Sequence, residues 1–566
     1  MVVLQVFYKN IRVLPGFILR YIFLLFFLNL PVSLPAQTIP AGLPILEEYF
    51  RRTQIGAIDS VSGSFSLRPI SSPNALYGVT QEFEVPVPGL EVGVLPSFAT
   101  VRFLSKRPYG WGDYGMIPNP GLQTLISGGV QVKYKFLNLT LRPELVLAQN
   151  KGYETNQDQF SRSEIRSKYL IWNYGDFPEK FGEGIYSKLW WGQSKLTAQY
   201  GAFEIGVATQ NIWWGPGQFN ALTFSNNAQG FPHLTLNTTK PAKTFLGNFE
   251  TQLIIGRLEN SGLDPSQFPE LNDAYFVPFS GDWRFLNALT FSYNPKWVPG
   301  LFLGMTRTFQ QYSESMGTGF LAYFPVLEPF VKTSYGFDRD DEGQDQQITF
   351  FGRWVFPKVK NEIYFEYGRR DHSFNWREFT INPEHARAYM LGFTQLFDLP
   401  EISKTVQIRG EITHQQESNN RYIRYAGLGG GLSWHSHTPA RGFVQNGQPL
   451  GVGIGVGSNV QTVEISLVDK LDKMGVLFER LANNNDFYYK AQLQNTERKP
   501  WVDLSLGFLF DKQLDNLLLS SKLQIIHARN YQWQTAPEST PDFPVGENLT
   551  SLMGQVSMIY FWKGKK

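Results

Sequence analysis

The chain has no cysteine in its 566 residues, which excludes disulfides, thiolate catalysis and thiolate-bound metal. Histidine is scarce, with seven in all, and only His435 and His437 stand close together. On a strand these two imidazoles point to one side and could share a metal, but no acidic or third histidine ligand follows at metal spacing. No metal and no other cofactor is expected. A Gly-x-Ser-x-Gly nucleophile elbow is absent, and Gly455-Val456-Gly457-Ser458-Asn459 reads as a loop. The carboxylate pairs Glu47/Glu48 and Asp340/Asp341 are adjacent in sequence, whereas glycoside hydrolysis needs two carboxyls about 5 to 9 Å apart. The chain is therefore not expected to be an enzyme. Its net charge is only +2 and it has no basic stripe, so nothing favours nucleic acid as a partner.

Long apolar runs are missing except near the N-terminus. There Lys9, Arg12 and Arg20 precede an apolar run at 21–30, and residues 31–36 lead to Gln37. A run of about ten residues is too short to span a bilayer but suits a secretory signal, with Ala36 the last residue before cleavage. Residues 1–36 are read as that signal and the mature chain as exported. No later run reaches the roughly 20 apolar residues of a spanning helix.

What the chain does have is aromatic side chains, 15% of its residues, interleaved with polar ones. Residues 43–54 combine helical apolar spacing with Glu47/Glu48 placed before Arg51/Arg52, which predicts one short amphipathic helix within a periplasmic segment at 37–60. From 61 onward the period changes to two, as at 131–136, 405–413, 463–467 and 502–506. Soluble sandwiches alternate in the same way, so the flanks decide. Aromatics cluster near segment ends: Tyr134 and Phe136; Trp354 and Phe356; Tyr364, Phe365 and Tyr367; Tyr560, Phe561 and Trp562. Such rings mark the two interfaces of an outer-membrane barrel. Lys133, Lys135, Arg409 and Glu411 occupy polar faces that lipid would reject and a wet lumen accepts. Connections alternate between tight (294–300, 356–361) and long (150–166, 259–282, 338–346, 531–548). The fold expected is all-β, a transmembrane outer-membrane β-barrel over 61–566 bathed in outer-membrane lipid. Helical spacing at Leu471, Met474, Leu477, Phe478 and Leu481 predicts a loop helix over 469–484.

One stretch concentrates recognition chemistry. Residues 210–233 hold the indoles Trp213 and Trp214, a Gly215-Pro216-Gly217 turn, and the polar groups Asn220, Ser225, Asn226, Asn227 and His233. Flat rings stack on the C–H faces of pyranoses while amides and hydroxyls bond their hydroxyls. The same residues equally build a core or an interfacial belt with capped turns. Arg142 with Glu144, Arg257, Arg284, Arg353, Arg369 and Arg370 lie on or beside predicted strands. A guanidinium fork suits the carboxylates or phosphates of an acidic glycan, and an Arg–Glu ladder inside a barrel is the structural alternative.

The stretch at 213–233 resembles the capsule-assembly Wzi family of outer-membrane proteins. Similar too are Ser64-Phe65-Ser66-Leu67-Arg68-Pro69, Gly121-Leu122-Gln123-Thr124, Leu141-Arg142-Pro143-Glu144, Asp282-Trp283-Arg284-Phe285-Leu286-Asn287, Pro383-Glu384-His385-Ala386-Arg387-Ala388-Tyr389 and Gly447-Gln448-Pro449-Leu450-Gly451. The resemblance implies a barrel of about 18 antiparallel strands with a small helical element at its periplasmic end. It also implies a lectin-like protein of the Gram-negative outer membrane that binds capsular or related exopolysaccharide and helps assemble or retain it. On that reading the carbohydrate-binding residues are Trp213, Trp214, Asn220, Ser225, Asn226, Asn227, His233, Arg257 and Arg284, with Gly215, Pro216 and Gly217 as the structural turn of a monomer. A passive diffusion channel, or a structural partner of an envelope machine, would use the same fold.

Overall fold

The computed structural model describes residues 37–562 apart from 39–42, 59–62, 73–80, 84, 111–112, 156–158, 280, 328–342, 371–379, 381–383, 385, 419–433, 438–439 and 493–496. The segment 1–36 read as a secretory signal, the Asp340/Asp341 pair, and Pro383 and His385 lie outside the described residues.

Alternating side chains build the wall. Its first strands are β1 (Leu90–Leu104), β2 (Gly121–Tyr134), β3 (Leu137–Leu141 and Glu144–Ala148), β4 (Tyr186–Trp190 and Lys195–Tyr200), β5 (Phe203–Ala208) and β6 (His233–Thr238). Next come β7 (Gly247–Leu258), β8 (Arg284–Pro295), β9 (Leu301–Tyr312), β10 (Asp345–Phe356), β11 (Asn361–Arg370) and β12 (Arg387–Leu399). The last are β13 (Lys404–His414), β14 (Asn459–Asp469), β15 (Asp472–Ala482), β16 (Val502–Leu514), β17 (Leu517–Arg529) and β18 (Leu549–Tyr560). Each pairs antiparallel with the next, and β18 returns to β1 from Met553↔Leu104 to Tyr560↔Ser97, closing a barrel of 18 strands. Closure removes every sheet edge, which a bilayer requires.

The faces invert the order of a soluble protein. On β16, Leu504, Leu506, Phe508 and Phe510 are exposed outward while Asp503, Ser505 and Asp511 are buried inward. Tyr134, Phe136, Trp297, Trp354, Tyr560 and Trp562 stand exposed at the short-turn end, where an interfacial girdle belongs. Tyr364 departs from that expectation: it points into the lumen and donates to Glu411 at 2.8 Å. The expected tight connections at 294–300 and 356–361 lie at one end of the barrel, and the long ones join strands at the other. Long connections mark the outer end.

The helix predicted over 469–484 does not form. Those residues are the facing ends of β14 and β15, joined by a tight turn at Lys470 and Leu471. Met474 and Phe478 face lipid while Leu477 and Leu481 are buried inward. Leu477 and Leu481 share the inner side of this hairpin with Lys473 and Glu479, so apolar residues fall on both faces and blur its period of two.

The predicted N-terminal helix is present as α1 (Pro44–Gly56), with proline in its first turn and Leu46, Phe50 and Ile55 buried. It enters the short-turn end and packs beside Phe65, Ile70 and Phe98. The first full wall strand begins at Leu90, with Gln81–Phe83 paired to it at Val92–Val94, and Leu67–Arg68 lies in the lumen against Trp213–Trp214. Near the outer end lie α2 (Arg162–Asn173), started by a Ser161/Glu164 capping box, and α3 (Pro269–Tyr275).

Candidate functional site: the lumenal plug and its outer cap

An 18-strand barrel is wide enough to leave an aqueous channel. Here two groups of residues fill it. From the short-turn end, Arg51 of α1 meets Glu362 of β11 at 2.8 Å and the Pro216 carbonyl at 2.7 Å. Glu362 also receives Arg353 of β10 at 2.7 Å, and Arg353 donates to Gln54 at 2.6 Å and to the Ser64 carbonyl at 3.1 Å. Glu48 accepts Lys473 at 2.9 Å and lies 3.2 Å from Arg409 and 3.3 Å from Arg52. Burial alone would raise the Glu48 carboxyl; Arg409, Lys473 and Arg52 outweigh it and hold the pKa below the ordinary value.

From the outer end the stretch between β5 and β6 dips inward. Trp213–Trp214 pairs antiparallel with Leu67–Arg68, and the Gly215 amide donates to the Ser66 carbonyl at 2.8 Å. Beyond this short ladder the amides have no strand partner, so the wall must satisfy them. Glu366 of β11 accepts from the amides of Gly217 at 3.2 Å and Leu222 at 2.9 Å. Glu411 of β13 accepts from Gln218 at 2.7 Å, Phe219 at 3.1 Å and Asn220 at 2.8 Å. Arg68 closes the turn from the other side, donating to the Gly217 carbonyl at 2.9 Å. The turn needs its glycines: Gly215 has φ +112, and a Cβ there would lie 2.1 Å from a Glu366 oxygen. At Gly217 a Cβ would lie 1.9 Å from the Asn220 carbonyl oxygen.

These contacts place each predicted residue. Trp214 is 1% exposed; its Nε1 donates to Gln252 at 2.8 Å and its ring meets Phe224 edge-on at 4.8 Å. Trp213, 8% exposed, lies under the Arg68 guanidinium at 4.6 Å. Asn220 is buried at the turn. Ser225 donates to the Gly451 carbonyl at 2.5 Å, Asn227 to the Pro449 carbonyl at 2.8 Å, and Asn226 to Tyr114 at 3.2 Å. His233 Nδ1 is 2.8 Å from the Phe231 carbonyl. Arg284 is fully buried and donates to the carbonyls of Gly442 at 2.6 Å and Val444 at 2.8 Å, fastening the β13–β14 connection inside the rim. Both indoles therefore face protein in this conformation, and the stretch read as a sugar platform forms the centre of the plug.

Other predicted groups are structural in the same way. Arg370 meets Asp345 at 3.0 Å, and Gln193 donates to Glu144 at 3.0 Å, so wall charges are satisfied within the lumen. His435 Nε2 is 3.1 Å from the Val452 carbonyl, and burial pushes its pKa down to about 3. His437 Nδ1 accepts from the Ala440 amide at 3.2 Å. Among the described residues no three histidine, aspartate or glutamate groups gather to hold a metal.

Arg257 is different. It lies at the top of β7 with its side chain 40% exposed, 2.5 Å from Glu259 and 5.1 Å from the centre of the Trp283 ring. Nearby segments of the same connection carry half-buried Tyr275, Phe276 and Phe279, with the Arg441 guanidinium 5.1 Å from the Phe279 ring. Residue reasoning passed over Trp283 and Phe279, although Trp283 lies in one of the motifs that carried the resemblance.

Residues 187–534, more than half of the chain, match a family profile described as capsule assembly protein Wzi. A comparison with curated protein sequences finds no match. Among solved structures the fold is similar to Wzi of Escherichia coli, described as a carbohydrate-binding β-barrel of the outer membrane involved in group 1 capsule assembly. That likeness has a TM-score of 0.59 at 10% identity and covers 94% of this chain and 100% of that one. OccAB2 of Acinetobacter baumannii aligns over 83% of this chain and 98% of its own, with a TM-score of 0.40 and 10% identity.

Proposed function

The chain is an outer-membrane β-barrel that belongs to the capsule-assembly Wzi family, and from that premise we propose that it binds capsular or related extracellular polysaccharide at the cell surface and helps assemble or retain it. It does so without catalysis, as a monomer set in outer-membrane lipid. The observation that carries this reading is the filled lumen. Because α1 and the stretch around Gly215–Gly217 meet within the barrel, the protein offers a polymer an outer surface rather than a path. This also sets the channel alternative behind the binding one.

We place the glycan contact on the outer cap. Trp283 and Phe279 supply rings, and Arg257 with Glu259, and Arg441, supply polar groups beside them. Rings next to charged forks match the alternating apolar faces and hydroxyls of a sugar chain. The buried indoles Trp213 and Trp214 act at one remove, by holding the plug that supports the cap. The test is binding of detergent-purified protein to a panel of surface polysaccharides. Trp283→Ala with Arg257→Ala should weaken a saturable interaction at least tenfold while the barrel stays heat-modifiable on a gel. A folded protein that binds no polysaccharide would sink the proposal.

A further inference from the structure

The outside of the barrel is not uniform around its outer rim. Over β14 to β18 one register row faces lipid and links Gln461, Arg480, Leu504, His527 and Thr550 as successive cross-strand partners. Arg529 stands two residues above His527 on the same face. Arg480, His527 and Arg529 are all exposed. Arg480 donates to Gln461 at 3.0 Å and His527 lies 3.0 Å from Thr550, both neutral partners. No carboxylate pairs with any of the three, and Arg529 has no hydrogen bond or ion pair among the described residues.

Elsewhere on the outside several charges form ion pairs. At the short-turn end Lys360 pairs with Asp398 and Lys512 with Asp472; at the outer end Arg257 pairs with Glu259. The outward residues in the upper half of β14 to β18 include no aspartate or glutamate at all.

Directly below this patch the wall is hollowed. Gly554 has no side chain and nothing within 4 Å of where a Cβ would stand. Around it Val101, Phe103, Phe508, Leu523 and Val556 border a groove of about 350 Å³ on the lipid side. Strands advance about 3.3 Å per residue, so the groove lies roughly 13 Å below Thr550, a depth at which acyl chains run.

An unmatched cationic row at headgroup level above an apolar groove is a two-part site. We propose that a phosphorylated, acylated outer-leaflet lipid binds here, its phosphate held by Arg480, His527 and Arg529 and one acyl chain seated against Gly554. Such a lipid would brace the strands that close the barrel between β14 and β1. The chemistry separates it from a free anion, because only an acylated ligand uses both halves.

The experiment is native mass spectrometry of the detergent-purified full chain with three probes: bis-phosphorylated lipid A, its fully deacylated phosphorylated disaccharide, and inorganic phosphate. The parent should retain lipid A and neither of the others. The Arg480→Gln, Arg529→Gln double variant should bind lipid A about 30-fold more weakly, since each interfacial cation contributes about fivefold. Gly554→Phe, which fills the groove and leaves the cations in place, should weaken lipid A severalfold. Heat-modifiability checks that both variants remain folded, as lipid-facing changes allow. Parental binding in both variants overturns the proposal. Equal binding of the deacylated disaccharide or of phosphate also overturns it, and would mark the patch as a site for soluble anions.

Discussion

Glu411→Gln should open the barrel. In the parent one Glu411 oxygen accepts the Gln218 and Phe219 amides and the Tyr364 hydroxyl, while the other accepts the Asn220 amide. An amide at this position keeps one acceptor and replaces the other with a donor. If its oxygen serves the three-donor side, the Asn220 N–H faces an NH2 and loses about 1 to 3 kcal/mol as a buried unsatisfied donor. The remaining bonds change from charge-assisted to neutral and weaken by about 1 kcal/mol each. The turn should thus lose roughly 3 to 5 kcal/mol of its hold on the wall, which raises the population of the displaced turn about 10² to 10⁴-fold. The ladders that pair β13 with β12 and β14 are untouched, so the 18-strand wall should stay intact around the displaced turn. Planar-bilayer recording reads the outcome: the parent should be nearly silent and the variant should show frequent openings of porin-like size. A variant as silent as the parent, with an unchanged thermal transition, would refute the claim that wall carboxylates hold the plug.

Trp214→Ala removes a buried indole together with its bond to Gln252, and should cost about 3 to 5 kcal/mol, seen as a lower temperature for the heat-modifiable gel shift. Arg284→Met leaves the Val444 carbonyl without its donor and the Gly442 carbonyl with Gln310 alone, and should make the β13–β14 connection protease-sensitive while the barrel stays intact. Glu48 has a folded pKa below the ordinary carboxylate value of about 4.5, so its contribution is present above that pH and is lost as pH falls toward the folded value. Hydrogen exchange of α1 should therefore quicken as pH is lowered through about 4, after correction for the intrinsic rate, and Glu48→Gln should abolish that dependence. Gly217→Ala should destabilise the plug through its clash with the Asn220 carbonyl, giving openings like those of Glu411→Gln.

Much of the wall was legible because a barrel strand has two faces with opposite solvents. Residues 405–413 and 502–506 alternate cleanly since lipid lies on one side and polar lumen on the other. The reading failed at 469–484, where Leu477 and Leu481 are buried on the lumenal side alongside Lys473 and Glu479, so apolar residues stand on both faces. The helix at 43–54 was readable from local spacing alone. Chain spacing also marked the Gly215-Pro216-Gly217 turn, but the reason for Gly215 lies on Glu366, far away in sequence.

The chain by itself determined the strand periodicity, the alternation of short and long connections, and the recurrence of a family motif. Each of these is a local property or a one-dimensional pattern. Only the tertiary structure decided that Trp213 and Trp214 lie inside the lumen rather than on a sugar-facing surface, and that Arg480, His527 and Arg529 at the outer end of β14 to β18 have no carboxylate partners. An indole beside amides reads the same in either setting. Whether it meets sugar or protein depends on which distant carboxylates bind the amides around it, and no spacing along the chain records that.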